Sequence, residues 1–368
     1  MSIKYINKFY TLFYKINGKR IWLPYFISLI AVALYSPVFA EDREKEEKLY
    51  NRAHSLIDNY SGDSGRLKEA HILALKIKKI NKNSEYAYVL IGRITYKSGY
   101  INYSNYTQES LVEAKIHFSK AISLNPRFYD AYIYGAYPYI FSKDYPAAKK
   151  MLAKAEKLRP DSEKVDIVYS EIALKEKNYD EVIRRCKSAI SKSSDRKTLY
   201  EAHEALSKAY RKIKKYKLAE QSYLMLIKLE PKSSWAKINY SNFLSKYKQE
   251  HDKAIEVAEQ ALEIMDFGMG HHILSEANYR KAVQLMRNRK YPEAGKYFKD
   301  SLKHNPSSAN SHYGLGMSLY YVGHYEKNKS IILKAEKSLS TALEIDPKHK
   351  QAKAQLANVR KLIKAINE

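Results

Sequence analysis

The chain has 368 residues, 45% of them hydrophobic and 29% charged, which supplies a large core and excludes wholesale disorder. Its 12 glycines and 10 prolines are too few for a collagen-like or low-complexity chain, and its single cysteine excludes a disulfide framework or a Cys-rich zinc domain. The length exceeds that of a usual compact domain and calls for several domains or a repeat array, while a net charge of +25 draws the chain towards polyanions.

Residues 1–40 read as a leader. Lys4, Lys8, Lys15, Lys19 and Arg20 stand without an acid, an apolar run follows from Tyr25 to Tyr35, and Val38-Phe39-Ala40 precedes an abrupt change to acidic residues at Glu41. These are the parts of a secretory signal peptide, with cleavage after Ala40. The alternative is an uncleaved anchor helix, although Pro24 and Pro37 bracket the apolar run and shorten it. Cleavage removes five positive charges and leaves +20. Export argues against nucleic acid as a partner and for anionic lipids, acidic glycans or acidic proteins. The bland reading of the charge is a solvated, lysine-rich helix surface.

Beyond residue 40 one pattern recurs: Ala, a bulky residue four later, a small or apolar residue three after that, then Pro. It reads Ala114/Phe118/Ala121/Pro126, Ala148/Leu152/Ala155/Pro160, Ala219/Tyr223/Leu226/Pro231, Ala294/Phe298/Ser301/Pro306 and Ala335/Leu339/Ala342/Pro347. Looser copies are Ala70/Ala74/Ile77, Val182/Cys186/Ala189 and Ala254/Ala258/Ala261. Steps of four and three put each triad on one helix face. Proline then stops the helix, because it lacks an N–H and restricts its predecessor. Upstream of the triads, a second helical run centres on a small residue: Gly92, Ala136, Ser170, Ser207, Ser241, Ala282 and Gly316. A small residue there lets two helix backbones approach. Tyr145, Tyr179, Tyr216, Tyr291 and Tyr325 stand between the runs, where a ring wedges between helices and its hydroxyl reaches water.

This pattern resembles the tetratricopeptide repeat (TPR) family. The resemblance covers nearly all of the chain after residue 40, most closely at 130–160, 200–231 and 310–347. It implies an all-α, right-handed α-solenoid of about eight helix pairs. Pairs 1–6 are expected over 41–266 and pairs 7 and 8 over 271–347, with the Gly-rich segment 264–270 as a joint or an ordinary turn. Residues 348–368 carry Ala352, Leu356, Val359 and Ile363 on one stripe and read as the capping helix that an open solenoid end requires. In this family the first helices line a concave groove that holds peptides, loops or helices of partner proteins.

Projecting the family's groove positions onto this chain gives Tyr86, Arg93, Tyr96 and Lys97 in pair 2, and Tyr137 and Phe141 in pair 3. Pair 5 gives Lys208, Arg211 and Lys212, pair 6 gives Trp235, Ile238 and Asn242, and pair 8 gives Tyr313, Met317, Tyr320 and Tyr321. Aromatic rings and arginine carry most of the binding energy at interfaces. The bland reading packs many of these rings into the next repeat. The Lys, Asn and Arg set with which some members grip a terminal carboxylate is not in register here. Two insertions break the period, one between Gly92 and Ala114 and one between Gly316 and Ala335. The first holds Tyr100, Tyr103 and Tyr106 among Ser and Asn, the composition of an adaptable binding loop. A tolerated surface insertion is the alternative.

No phosphate loop, HExxH, GxSxG or paired-Cys motif is present. Cys186 stands at a core position of the repeat, and His271-His272 lacks spaced metal-ligating partners. No catalytic residue, metal or cofactor is named by the sequence. The expectation is a non-catalytic adaptor of the bacterial cell envelope, periplasmic or anchored in the inner membrane by an uncleaved helix. Its partner would be an envelope protein held in the groove during assembly or secretion. The rival expectation is a binding module for anionic glycans or lipid headgroups.

Overall fold

The computed structural model describes residues 23–60, 64–102 and 105–368, with side chains from residue 40 onward. The leader expected over residues 1–40 lies outside the described residues, apart from helical backbone that begins at Leu23. Among the described residues no helix is long and apolar enough to cross a membrane.

The fold is all-α, with helices following one another as antiparallel pairs. The chain divides into two compact units, Met1–Pro160 and Asp161–Glu368. The first unit holds three pairs: Leu23–Asp58 (α1) with Ser64–Ile80 (α2), Glu85–Ser98 (α3) with Gln108–Leu124 (α4), and Tyr129–Phe141 (α5) with Tyr145–Leu158 (α6). The second opens with Glu163–Lys175 (α7) and Tyr179–Lys192 (α8), then Arg196–Lys212 (α9) and Tyr216–Leu229 (α10). It continues with Ser234–Phe243 (α11) and His251–Ile264 (α12), Gly268–Arg287 (α13) and Tyr291–His304 (α14), and Ala309–Tyr325 (α15) and Lys329–Ile345 (α16). Lys350–Asn367 (α17) caps the end by burying Ala352, Leu356 and Val359.

The repeated triad is the core. Its leading residues, from Ala70 and Ala114 to Ala294 and Ala335, are wholly buried. The bulky members Phe118, Leu152, Tyr223, Phe298 and Leu339 are each at most 5% exposed. The Gly-rich segment lies within the second unit, and α13 starts inside it at Gly268. The second insertion is taken up where the two helices of its pair meet: α15 runs nine residues past Gly316, against five past Ala282 in α13, and α16 begins six residues before Ala335, against three before Ala294 in α14. Tyr325 consequently ends α15 at 90% exposure, where it cannot wedge between helices. Tyr145, Tyr179, Tyr216 and Tyr291 do open second helices and are half-buried.

From the third pair on, each first helix ends in the same way. One residue adopts left-handed backbone: Lys143, Lys177, Lys214, Gln249, Arg289 and Lys327, at φ between 54 and 62°. The next N–H then bonds back across the last turn, as from Asn178 to the Ala173 carbonyl at 2.9 Å and from Lys215 to the Tyr210 carbonyl at 2.8 Å. Left-handed backbone costs a residue with a Cβ about 1–2 kcal/mol, and glycine usually fills this place. Lys177→Gly relieves that strain but adds freedom to the unfolded chain. A net gain of about 0.5–1 kcal/mol in urea unfolding is expected; a loss would show that the lysine side chain holds the turn.

Candidate functional site

Each first helix spends one face on its own pair. A Cβ added to Gly92 would meet the Phe118 ring at 3.0 Å, and one added to Gly316 would meet Leu339 at 2.7 Å. Ala136, Ser170, Ser207, Ser241 and Ala282 are buried at the equivalent places. Small residue on the first helix, bulky residue on the second, and a stopped helix beyond recur in register along the chain. The fold is of the tetratricopeptide-repeat kind. The remaining face of each first helix is the one on which TPR groove positions fall.

In the second unit, α9 and α11 enclose a cavity of about 290 Å³. Its walls bring together four of the residues singled out from the sequence, Lys208 and Arg211 on α9 with Trp235 and Asn242 on α11. Tyr223 and Phe243, with ring centroids 5.0 Å apart, also line it. Trp235 remains 51% exposed and leans on Phe267 at 5.1 Å, so its indole forms a shelf over apolar support. Arg211 Nη1 donates to the Tyr247 hydroxyl at 3.2 Å, while its buried Nε has no hydrogen-bond partner. Such an unanswered donor costs about 1–3 kcal/mol, which an acceptor entering the cavity would recover. Lys208 is drawn to Glu204 at 2.8 Å, an exposed pair of small energetic weight. Lys212 is exposed and outside the lining.

Asn239 also lines the cavity and was not anticipated. Steps of four and three from Trp235 reach Asn239 and Asn242, whereas Ile238 is one residue off that face and buried in the core. Tyr247 comes within reach of Arg211 through a π-helical turn, Leu244–Lys248, that ends in left-handed Gln249. On α7, burial pushes the Glu171 carboxyl above its ordinary range, and Lys175 and Lys208 offset this only in part.

In the first unit the first-helix face carries an occupant of its own. Strands Tyr100–Asn102 (β1) and Asn105–Tyr106 (β2) pair antiparallel between α3 and α4, closed at the base by the Thr107 N–H donating to the Gly99 carbonyl at 2.8 Å. Tyr106 stacks on Phe141 with centroids 4.1 Å apart. Tyr96 lies 5.9 Å from Phe141 and 6.3 Å from Tyr137, and is itself buried. Each such ring pair adds about 0.5–1.5 kcal/mol beyond burial. Tyr100 rests on the Tyr106 ring at 5.5 Å and stays exposed. Tyr103 lies outside the described residues.

Arg93 is taken wholly into the core. It pairs with Asp58 of α1, and its guanidinium lies 3.9 Å over the Tyr134 ring of α5. It therefore ties α1, α3 and α5 together and presents no surface to a partner. Tyr86 is held between Tyr50 and Phe128, at 4.8 and 5.2 Å, with Arg43 4.1 Å over its face. Lys97 is half-buried, 5.7 Å from the Tyr60 ring. In pair 8, Tyr321 stacks on Tyr291 at 4.4 Å and Tyr313 lies 5.0 Å from His349 before the cap. Tyr320 packs on the α16–α17 core, and Met317 is half-buried.

Burial pushes the Cys186 thiol up to about 11, far from the thiolate character of a nucleophile. His271 meets His304 through their Nδ1 atoms at 2.9 Å and Asp266 at 2.6 Å. Among the described residues, no group of three or more His, Cys, Asp or Glu is placed to hold a metal.

No family model matches the chain, and no curated protein does. Solved structures similar to it include TTC0263, a TPR protein of Thermus thermophilus, at 18% identity and TM-score 0.45, covering 54% of this chain and 98% of that one. The Pseudomonas aeruginosa pilF protein is 16% identical over 62% of this chain and 94% of that one, at TM-score 0.47. The match to the Cut9–Hcn1 complex, at 15% identity and TM-score 0.44, covers 80% of this chain but about half, 52%, of that one.

The raised Glu171 carboxyl fixes the sign of a pH effect. A group that holds its proton more tightly when folded weakens the fold once pH rises above its folded pKa. Glu171→Gln is expected to raise the melting temperature at pH 7.5, with the gain vanishing below about pH 4, where glutamic acid is protonated in both states. An equal gain at both pH values would assign the effect to packing.

Proposed function

We propose that this TPR chain is a non-catalytic scaffold of the bacterial cell envelope that binds a segment of a partner protein on the first-helix face of its second unit. One observation carries the reading: Trp235, Asn239, Asn242 and the unanswered Nε of Arg211 converge on a single cavity. The chemistry suits a polypeptide. Asparagine amides both donate and accept, as an extended backbone requires. The indole shelf takes an apolar or aromatic side chain, and Arg211 takes a carbonyl or carboxylate. The volume of about 290 Å³ lies at the lower limit for small-molecule sites and suits one or two side chains. Export to the envelope is supported by the basic, apolar and small-residue order of residues 1–40. A role in assembling or secreting an envelope complex is the natural use of such a scaffold.

A photo-crosslinking residue at Asn239, in the full chain expressed in its own cells, tests this reading. A discrete protein adduct is expected there, and none from Lys337 on the outer side of α16. Trp235→Ala is expected to weaken capture roughly 30-fold, the loss of a hot spot worth about 2 kcal/mol, with the melting temperature unchanged. Adducts indifferent to both Trp235→Ala and Arg211→Ala would sink the proposal.

A further inference from the structure

The outer side of each second helix has one characteristic position, two residues after the leading member of the triad. In six copies it is polar: Lys150, Arg184, Gln221, Glu256, Lys296 and Lys337. In the first two copies it is Ile72 and Ile116, and these remain 54% and 63% exposed. Leu75 on α2 and Val112 on α4 stand on the same faces, 45% and 47% exposed. The spacings, three and four residues, put each pair on one side of its helix. The two helices flank a common residue of α3, since Lys78 of α2 lies 4.6 Å over the Tyr88 ring and His117 of α4 faces that ring at 6.2 Å. Around the four aliphatics stand exposed Lys68, Lys76 and Lys79 on α2 and Lys120 on α4, with Glu109 and Glu113 the exposed acids of α4.

We propose that this outer face of α2 and α4 docks on an anionic lipid surface. Two exposed isoleucines at a position that is polar in the other six copies, each with a second exposed aliphatic on its own helix face, mark a face that is covered in use. The lysines select the cover. A second copy of the chain would bring lysine against lysine, and residues 1–22 carry only positive charges. An anionic bilayer satisfies both parts at once. Aliphatic side chains enter the boundary between headgroups and acyl chains, and lysine stems lie along that boundary with their ammonium groups among the phosphates. This inference stands apart from the cavity of the second unit, so either reading can fail alone.

The test floats the full chain with vesicles of phosphatidylcholine, alone or with about a third phosphatidylglycerol. Binding to the anionic vesicles only, weakening as salt rises, is expected. I72Q/I116Q, which installs the residue type found at Gln221, is expected to weaken it about tenfold or more, with circular dichroism and melting unchanged. The apolar run Tyr25–Tyr35 is a second candidate for lipid contact in the full chain, so a second readout locates the contact. In a Trp22→Phe/Trp235→Phe background, Ile116→Trp is expected to be quenched by brominated lipid, and Lys150→Trp, the same position in pair 3, to be unaffected. Three results overturn the proposal: no quenching at 116, equal quenching at 150, or binding unchanged in I72Q/I116Q. A lipid-free dimer or acidic-protein complex that I72Q/I116Q abolishes would assign the face to protein instead.

Discussion

The close approach of two helix backbones within each pair is the constraint on which the rest of this molecule depends. A Cβ on Gly316 would come within 2.7 Å of the Leu339 side chain, and one on Gly92 would press on the Phe118 ring. The absence of a side chain on one helix is what makes room for the bulky side chain of the other. A single pair cannot bury its apolar surface alone, so within each unit a pair depends on its neighbours. Because the contact consumes the same face of every helix, the same two faces are left over in every repeat. The inner faces of first helices and the outer faces of second helices are the surfaces available for function.

Two arginines show how placement decides what a side chain does. Arg93 and Arg211 both project from first helices, and each has buried N–H groups without a hydrogen-bond partner. Arg93 has Asp58 for its charge and the Tyr134 face for its plane. Enclosed between three helices, it is a structural tie, and removing Asp58 would leave a buried cation uncompensated, at a cost of about 3–5 kcal/mol. Arg211 has a neutral partner, the Tyr247 hydroxyl, and lines a cavity. Its unmet demand is for an acceptor from outside. A groove projection from the family pattern assigns both to the same role, and burial separates them.

The helix pairs, their register and the cap were legible in the sequence because steps of four and three, small residues and stopping prolines all point to one answer. Placement of side chains one residue apart was less legible. Ile238 and Asn239 differ by a single helical step, and only the packing of α11 shows which one enters the core. The hairpin was visible as a Tyr-rich insertion, but its folding back onto Phe141 is a tertiary contact with no local signal. Local chemistry was equally silent on the left-handed lysines, since lysine has no preference for that backbone and the helix-ending bonds impose it. The π-helical turn that delivers Tyr247 breaks the very periodicity from which helix faces are read.

A repeat template is indifferent to partner, so specificity resides where the chain departs from it. Pair 2 departs by insertion, and its hairpin rings cover the inner face of α3 and α5. Pairs 5 and 6 depart by composition, placing Trp235, two asparagines and Arg211 where their neighbours carry other side chains. Pairs 1 and 2 depart on the outer side, where isoleucine replaces the polar residue of every later copy. None of these changes touches the small-on-bulky contact, so each could be acquired without weakening the stack. Under the two proposals made above, such a surface would separate its tasks by unit. The hairpin rings cover α3 and α5, so the proposed inner-face site falls in the second unit, while the exposed aliphatics of the first serve the proposed lipid contact.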